Sequence, residues 1–575
     1  MKKTIYTLLG LLLAAGLTSC QDWFIEKPEV TGMDQDEVFS TAKNAEGAIA
    51  EAYATILSSG LPVLVWNNSP IMPYETTEAI MGGEDLCRLT WGYMDKQVVA
   101  GMLANNENNG AGYTDDYFPN NYAYIRKAWL VYENIDKVAD MSDRDKAIVK
   151  AEMQVLVAFR YVEMLKRYGG VPLVESTLTT VDVRPRSTVQ QTLDFIVGLC
   201  DAAAATLEGV ALAVKAEALM YAARPLFNAD APYMQMADPA NNEMIWLGGY
   251  DAKRWETARL ANQEVIDWGK ANGFELIDTG DPIKDYGTAV GTPSNREVLL
   301  AYKQQREADD NGIYKNYTFM PTHTGHDLGQ YRGTGYGQLC QYRKADGTDQ
   351  TWAGVDDWRP AGEYRDKAEE LEPRAQASLY FYGVNPKNNT GNSRWDLYQN
   401  WQLEYKWQDG CAKNIKFWYE AGSREWFEFP IYRMAEFYLN IAEAYNEEGN
   451  PTMALRYLND IRRRGGIPDE TQTDRVGLRR SIHREWAVEF YVENQWYPHA
   501  RHWKQGASMV GGAKYKFEFS QAAGVSWNPR KPEEFANYTR KPSYVPEYTW
   551  HERMSLSPFT LSEVNKGYLV QNPGY

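Results

Sequence analysis

The sequence predicts a mainly α fold: a tetratricopeptide-like helix-hairpin scaffold carrying a large loop-rich irregular region with short strands. Three observations predict it. Apolar residues recur at helical spacing through much of 40–270 and again through 430–505. Within the second block, small and aromatic residues are spaced as in a helix–turn–helix repeat. Between the blocks, from about 273 to 428, the chain becomes rich in Gly, Asn, Asp, Tyr and Trp and loses sustained helical period.

At the N-terminus, Lys2 and Lys3 form a short basic region and Leu8 to Leu17 an apolar run. That run is too short for a bilayer span of ~20 apolar residues and reads as the core of a signal peptide, residues 1–19. Thr18 and Ser19 are small, and Cys20 follows with a nucleophilic thiol. The pattern resembles the bacterial lipobox, which implies cleavage before Cys20 and acyl chains on the new terminus. One chain holds a membrane weakly, at ~0.8 kcal/mol per buried CH₂, and two or more hold firmly. The mature chain, 20–575, then reads as one unit with no second stretch approaching a membrane span.

Ala42 to Leu57 places Ala48, Ile49, Ala52, Tyr53 and Ile56 at helical spacing. Ile125 to Met141 and Ala147 to Tyr168 form a pair joined by "SDRD", in which Ser142 or Asp143 can serve as an N-cap. Val155, Ala158, Phe159, Val162 and Leu165 make one stripe; Gly169-Gly170 stops the helix and Pro172 excludes its continuation. Further helices are predicted at Thr188 to Leu207, Ala211 to Phe227 and Trp255 to Trp268. The middle, including "QYRGTGYGQLCQYRKADGTDQTWAGVDDW", reads as loops with a few short strands. Helical order returns at Ile431, where Ala442, Tyr445, Gly449, Ala454, Leu458 and Ile461 stand at offsets 0, 3, 7, 12, 16 and 19. Small residues at such positions let two helices approach, and Gly449-Asn450-Pro451 makes the turn between them. Residues 506–575 read as a loop-rich C-terminal segment.

The net charge of −17 contains no basic block, which argues against nucleic acid as a partner. Cys87, Cys200, Cys340 and Cys411 are far apart, form no CxxC and do not make a disulfide or zinc framework. Tyr occurs 39 times and Trp 19, against 18 Phe. Rings with a polar tip suit half-wet surfaces, so the excess points to a contact surface.

Six blocks carry a resemblance. "KAEMQVLVAFRYVEMLKRYGGVPLV", "RPRSTVQQTLDFIVGLCDAAAATL", "VKAEALMYAARPLFN", "FPIYRMAEFYLNIAEAYNEEG", "IHREWAVEFYVENQWYPHARHW" and the final "LVQNPGY" resemble, in this order, the signatures of SusD/RagB-like nutrient-binding lipoproteins. The likeness runs from the lipobox to the last residue. It departs at Gln495-Trp496-Tyr497-Pro498, which interrupts the more regular Glu/Arg helix of the family. The resemblance implies a lipid-anchored protein on the outer face of a Gram-negative outer membrane. It further implies a SusC-like TonB-dependent transporter as partner, and capture of oligosaccharides or, less often, peptides. An anchor at Cys20 would confine the capture protein beside its transporter and raise their effective concentration.

Oligosaccharides present flat C–H faces ringed by hydroxyls, which match aromatic planes edged by Asn, Asp, Arg and Gln. Loop aromatics beside such groups are Trp66 in "VWNNS", Trp91 and Tyr93 in "LTWGYMD", and Tyr331, Tyr336, Trp352 and Trp358 in the middle. No family motif fixes these positions; the chemistry alone selects them, against the alternative of partly buried packing rings. Catalytic readings compete poorly. His323/His326 and His499/His502 lack the Glu of HExxH, and acidic pairs at 115–116, 309–310 and 356–357 are expected in a chain with 77 acids. "ADGTDQ", Ala345 to Gln350, echoes a calcium loop without the following Glu, so structural calcium stays open. The glycines of "RGTGYGQ" read as a flexible loop. The expectation is a binding protein with no catalytic residues, metal or cofactor; a pure assembly subunit of a surface complex is the rival from another class.

Overall fold

The structure is a computed structural model that describes residues 34–57, 118–178, 183–305, 333–382, 384, 410–414, 416, 426–524 and 534–575. Its N-terminal helices are α1 (Ala42–Leu57), α2 (Phe118–Asn134), α3 (Asp143–Tyr168), α4 (Val189–Ala204), α5 (Glu208–Ala223) and α6 (Lys253–Ala271). Helix α2 begins earlier than the apolar stripe predicts, because Pro119 is tolerated in a first turn. Ser142 caps α3, its hydroxyl accepting from the Asp145 N–H at 3.1 Å, with Asp143 and Asp145 at the positive end of the helix. Gly169, at φ 78°, closes it in a conformation that other residues adopt only under strain. Thr188 and Gln191 form a reciprocal capping box on α4.

The middle region is less irregular than predicted. It holds α7 (Pro282–Gly291), strand β1 (Val298–Gln305), α8 (Ala361–Glu369) and α9 (Pro373–Ser378). Strand β2 (Trp426–Arg433) pairs antiparallel with β1 and runs directly into α10 (Met434–Glu447). Helix α11 (Pro451–Arg464) completes the hairpin anticipated from the 0-3-7-12-16-19 spacing. Gly449 at φ 80° turns the chain, and the Asn450 side chain accepts from the Met453 N–H at 3.2 Å. Ala442 and Ala454 are fully buried, and Tyr445 stacks on Tyr457 at 6.0 Å. Helices α12 (Arg475–Glu489) and α13 (Trp496–His502) follow. The Gln495–Pro498 departure is where the chain starts the new helix α13, after a turn in which Val492 and Asn494 take positive φ.

The C-terminal segment, predicted to be loop-rich, instead carries an antiparallel pair, β3 (Gly512–Gln521) and β4 (Phe535–Tyr548). The alternation of "YKFEFS" sends Phe517 and Phe519 to one side, and both are buried. The two-residue strand Arg359–Pro360 extends this sheet on β4. Among the described residues no helix is long and apolar enough to cross a membrane.

Two principal cores result. The first runs through the helices, α1 on α2, α2 on α3, α3 on α4, α5 on α6 and α6 on α10. The second gathers Tyr342, Tyr364, Phe381, Phe517, Phe519 and Tyr538. Between them lies a buried ionic seam. Arg433 contacts Glu489 at 2.6 Å and Glu493 at 2.8 Å; Arg464 contacts Glu297 at 2.9 Å and also Glu489; Arg374, from α9, reaches Glu372 at 2.7 Å and Glu489 at 3.1 Å. The Glu489 side chain has no solvent exposure. Burial pushes its carboxyl up, but Arg464, Arg433 and Arg374 together hold it well below the usual range.

Arg186 of the "RPRS" block explains why distant signatures belong together. Its guanidinium donates to the carbonyls of Gly170, Tyr168 and Val570, each at 2.7 Å, and to Asn572 Oδ1 at 2.8 Å. One buried cation thereby ties the end of α3 to the final "LVQNPGY".

Candidate functional site

The second core reaches the surface along β4. Residues 354–356 lie against this strand: the Arg540 N–H donates to the Gly354 carbonyl, and the Asp356 N–H donates to the Arg540 carbonyl, each at 3.2 Å. The Thr539 hydroxyl donates to Gly354 at 3.3 Å, and Lys541 pairs with Asp356, which sits at φ 57°. This pinned loop presents Trp358, which is 44% exposed. The Arg359 Nε donates to Asp357 Oδ2 at 3.0 Å beside it and holds that carboxyl below its ordinary range.

Next along the strand, the Arg540 guanidinium lies 4.5 Å from the Tyr336 ring and 5.2 Å from the Tyr515 ring. Such cation–ring contacts hold a planar donor in place. Tyr336 opens a short helix, Tyr336–Leu339, and its ring meets Phe517 edge-on at 5.9 Å. Burial and then Cys340 push its phenol up to about 12, so it stays neutral. Trp352 also packs on Phe517, at 5.6 Å, and on Tyr364, at 5.8 Å. The half-wet shelf along β4 therefore has two parts: Tyr336 and Tyr515 around Arg540, and the exposed Trp358 with Asp357 and Arg359 on the loop pinned to the same strand. It can take the flat face of a ring and hydrogen-bond groups around it.

Of the aromatics chosen from sequence, Tyr336 and Trp352 share Phe517 as a neighbour, and Trp358 stands on the loop pinned beside them. Trp352 is mainly a packing ring of the second core. Trp66, Trp91, Tyr93 and Tyr331, with the lipidation residue Cys20, lie outside the described residues, as do Cys87, His323, His326 and the acidic pairs at 115–116 and 309–310. Sequence reasoning missed Arg540 and Tyr515. The faint signal was alternation in "AKYKFEF" and "NYTRKP", which places them on a shared sheet.

His499 and His502 are both buried among rings. His499 packs edge-on against Trp486 at 4.3 Å and His502 against Tyr221 at 4.5 Å. Asp346 accepts from the Thr348 N–H at 2.9 Å and its hydroxyl at 2.6 Å, and Asp349 pairs with Arg484 at 2.6 Å, so the acids of "ADGTDQ" serve a turn and a cation. Among the described residues, no group of three or more His, Cys, Asp or Glu could hold a metal ion.

Two family models match. One, described as the SusD family, covers residues 296–575; the other, described as starch-binding associating with outer membrane, covers 90–223. The chain belongs to the SusD family. Similar solved structures agree in fold. A SusD-like protein from Bacteroides fragilis is 22% identical, with a TM-score of 0.68, covering 94% of this chain and 98% of that one. A SusD-like carbohydrate binding protein from the same species is 16% identical, TM-score 0.64, covering 93% and 99%. Another SusD-like carbohydrate binding protein, from Bacteroides vulgatus, is 13% identical, TM-score 0.55, covering 92% and 98%. No curated protein matches this SusD-family chain in sequence.

Proposed function

We propose that this SusD-family protein captures oligosaccharides at the outer face of the outer membrane, without turnover, and passes them to a SusC-like TonB-dependent transporter. Acyl chains on Cys20 hold it there. The observation that carries the reading is the exposed Trp358 beside the Asp357–Arg359 pair, on a loop pinned to the strand whose Arg540 lies against Tyr336 and Tyr515. A sugar ring laid on Trp358 brings its C–H face to the indole and its hydroxyls to carboxylate and guanidinium. The matched description "starch-binding associating with outer membrane" supports both the ligand class and the place.

The test is a glycan and peptide array probed with the chain lacking residues 1–20, followed by calorimetry on the hits. Saccharide binding without product formation supports the proposal. A preference for peptides redirects the ligand class, silence on both arrays points to an assembly subunit, and hydrolysed products make it an enzyme. Mass spectrometry of the membrane-bound protein should find Cys20 as an acylated N-terminus; an unmodified Cys20 removes the anchor.

A further inference from the structure

A cleft of about 600 Å³ lies between the start of α2, the extended run after α3 and the C-terminal segment. Its helical wall is Pro119, Tyr122, Ala123 and Arg126, at offsets of 0, 3, 4 and 7, so one face of α2 turns toward it. Its second wall is Pro172, Val174, Ser176 and Leu178, every other residue of an extended run. The backbone of that run is already committed. The Tyr122 hydroxyl donates to the Pro172 carbonyl at 2.9 Å and the Trp129 Nε1 to the Val174 carbonyl at 2.9 Å. The Val174 N–H donates to the Tyr161 hydroxyl and the Thr177 N–H to Glu133, both at 2.8 Å. Both walls are thus held in place, with alternate side chains left facing the space.

The lining differs from the shelf on β4 in its aliphatic walls, which Pro119, Ala123, Pro172, Val174, Leu178 and Val183 supply. Arg126, Arg184 and Lys566 bring three cations to the cleft of a chain whose net charge is −17. Its carboxylate, Glu563, accepts from Lys566 at 2.6 Å and from the Tyr568 hydroxyl. Both lining tyrosines therefore have their hydroxyls engaged and offer mainly ring surface. Pro119, Pro172, Val174, Leu178 and Val183 offer no side-chain hydrogen bond, so much of the described lining suits an apolar body better than a ring of hydroxyls. An apolar body with one anionic end matches both the walls and the charge. The volume suits a small molecule, in the range of about 300–1,000 Å³.

We propose that this cleft binds a small aryl carboxylate, its ring against Tyr122, Val174 and Tyr568 and its carboxylate toward Arg126 and Arg184. The site is separate from the glycan shelf and does not depend on it.

Calorimetry of the full mature chain with 4-hydroxycinnamate, its uncharged amide and glucuronate tests this. The acid should bind, and the amide should bind about ten-fold more weakly or worse, since hydrogen bonds to a charged group are lost. Glucuronate should bind weakly. The Arg126→Gln, Arg184→Gln double variant should weaken the acid by about ten-fold while its near-UV circular dichroism stays unchanged. Equal binding of acid and amide overturns the carboxylate assignment, as does unchanged affinity in the folded double variant. Glucuronate binding as tightly as the aryl acid makes the cleft an acidic-sugar subsite instead, and no binding of the aryl acid into the millimolar range ends the proposal. The comparison of acid with amide uses the unaltered chain, so a variant that misfolds leaves the test standing.

Discussion

The helical core is built largely from Ala, Val, Leu and Ile recurring at helical spacing, so neighbours in the core are often neighbours in the chain. The second core adds to its Ala, Leu and Val a group of Tyr and Phe rings drawn from α8, β2, β3, β4 and the loops, with partners far apart in sequence. That difference has a functional side. A core of small aliphatic residues ends where its helix faces end. The ring-bearing core continues outward through Trp352 and Tyr336, so these half-buried rings rest on Phe517 and are held before a ligand arrives.

The ionic seam joins the two regions, and removing its centre should have the largest effect. Glu489→Ala leaves Arg433, Arg464 and Arg374 short of a buried counter-charge and should cost about 3–5 kcal/mol, read as a lowered denaturation midpoint. Should the helical part unfold separately from the rest in that variant, the seam is what makes the two regions cooperative. A milder disturbance, Trp352→Ala, removes a ring from within the second core and should cost about 3 kcal/mol. Its denaturation curve separates packing from ligand contact, because a pure contact residue would leave stability unchanged.

Acid should act mainly on the helical side. Burial, then the charge of Arg224, pushes His483 down to about 3, and burial pushes His499 and His502 well below their ordinary value. A histidine that stays neutral when folded but takes a proton when unfolded makes stability fall as pH drops below about 6.5. Each should contribute on the order of 1 kcal/mol per pH unit between the unfolded and folded values. Denaturation at pH 7 and pH 5.5 checks this: His483→Gln should flatten the dependence, and an unchanged slope would remove His483 from it. Trp358→Ala should have the smallest structural effect, within about 0.5 kcal/mol. It should still weaken saccharide binding by about ten-fold, as loss of an aromatic anchor does.

Most of the scaffold was legible because each helix announces itself locally. The α3 stripe, its Ser142 cap and its Gly169 stop all sit within one short stretch, as do the turn and small residues of the α10–α11 hairpin. From sequence the β3–β4 pair reads as loop, because its partners must find each other across intervening chain. The α7, α8 and α9 helices do not stand out in the sequence, because each is at most three turns long. At the site, sequence chose Trp352 and Trp358 on the same grounds, a loop aromatic near polar groups. Burial decides between them, and it depends on Phe517 and Tyr364, which local sequence cannot bring to Trp352. Arg540 was missed for the converse reason, since nothing marks a strand arginine until two tyrosines close on it.

The most direct test compares hydrogen exchange of the mature chain alone with that of the chain saturated by a saccharide identified on the array. Extra protection at 354–359, around Tyr336 and at Arg540, with α10 and α11 unchanged, is the predicted result. Protection confined to the helices, with the β4 shelf unaffected, would contradict the assignment of ligand capture to the aromatic side of the molecule.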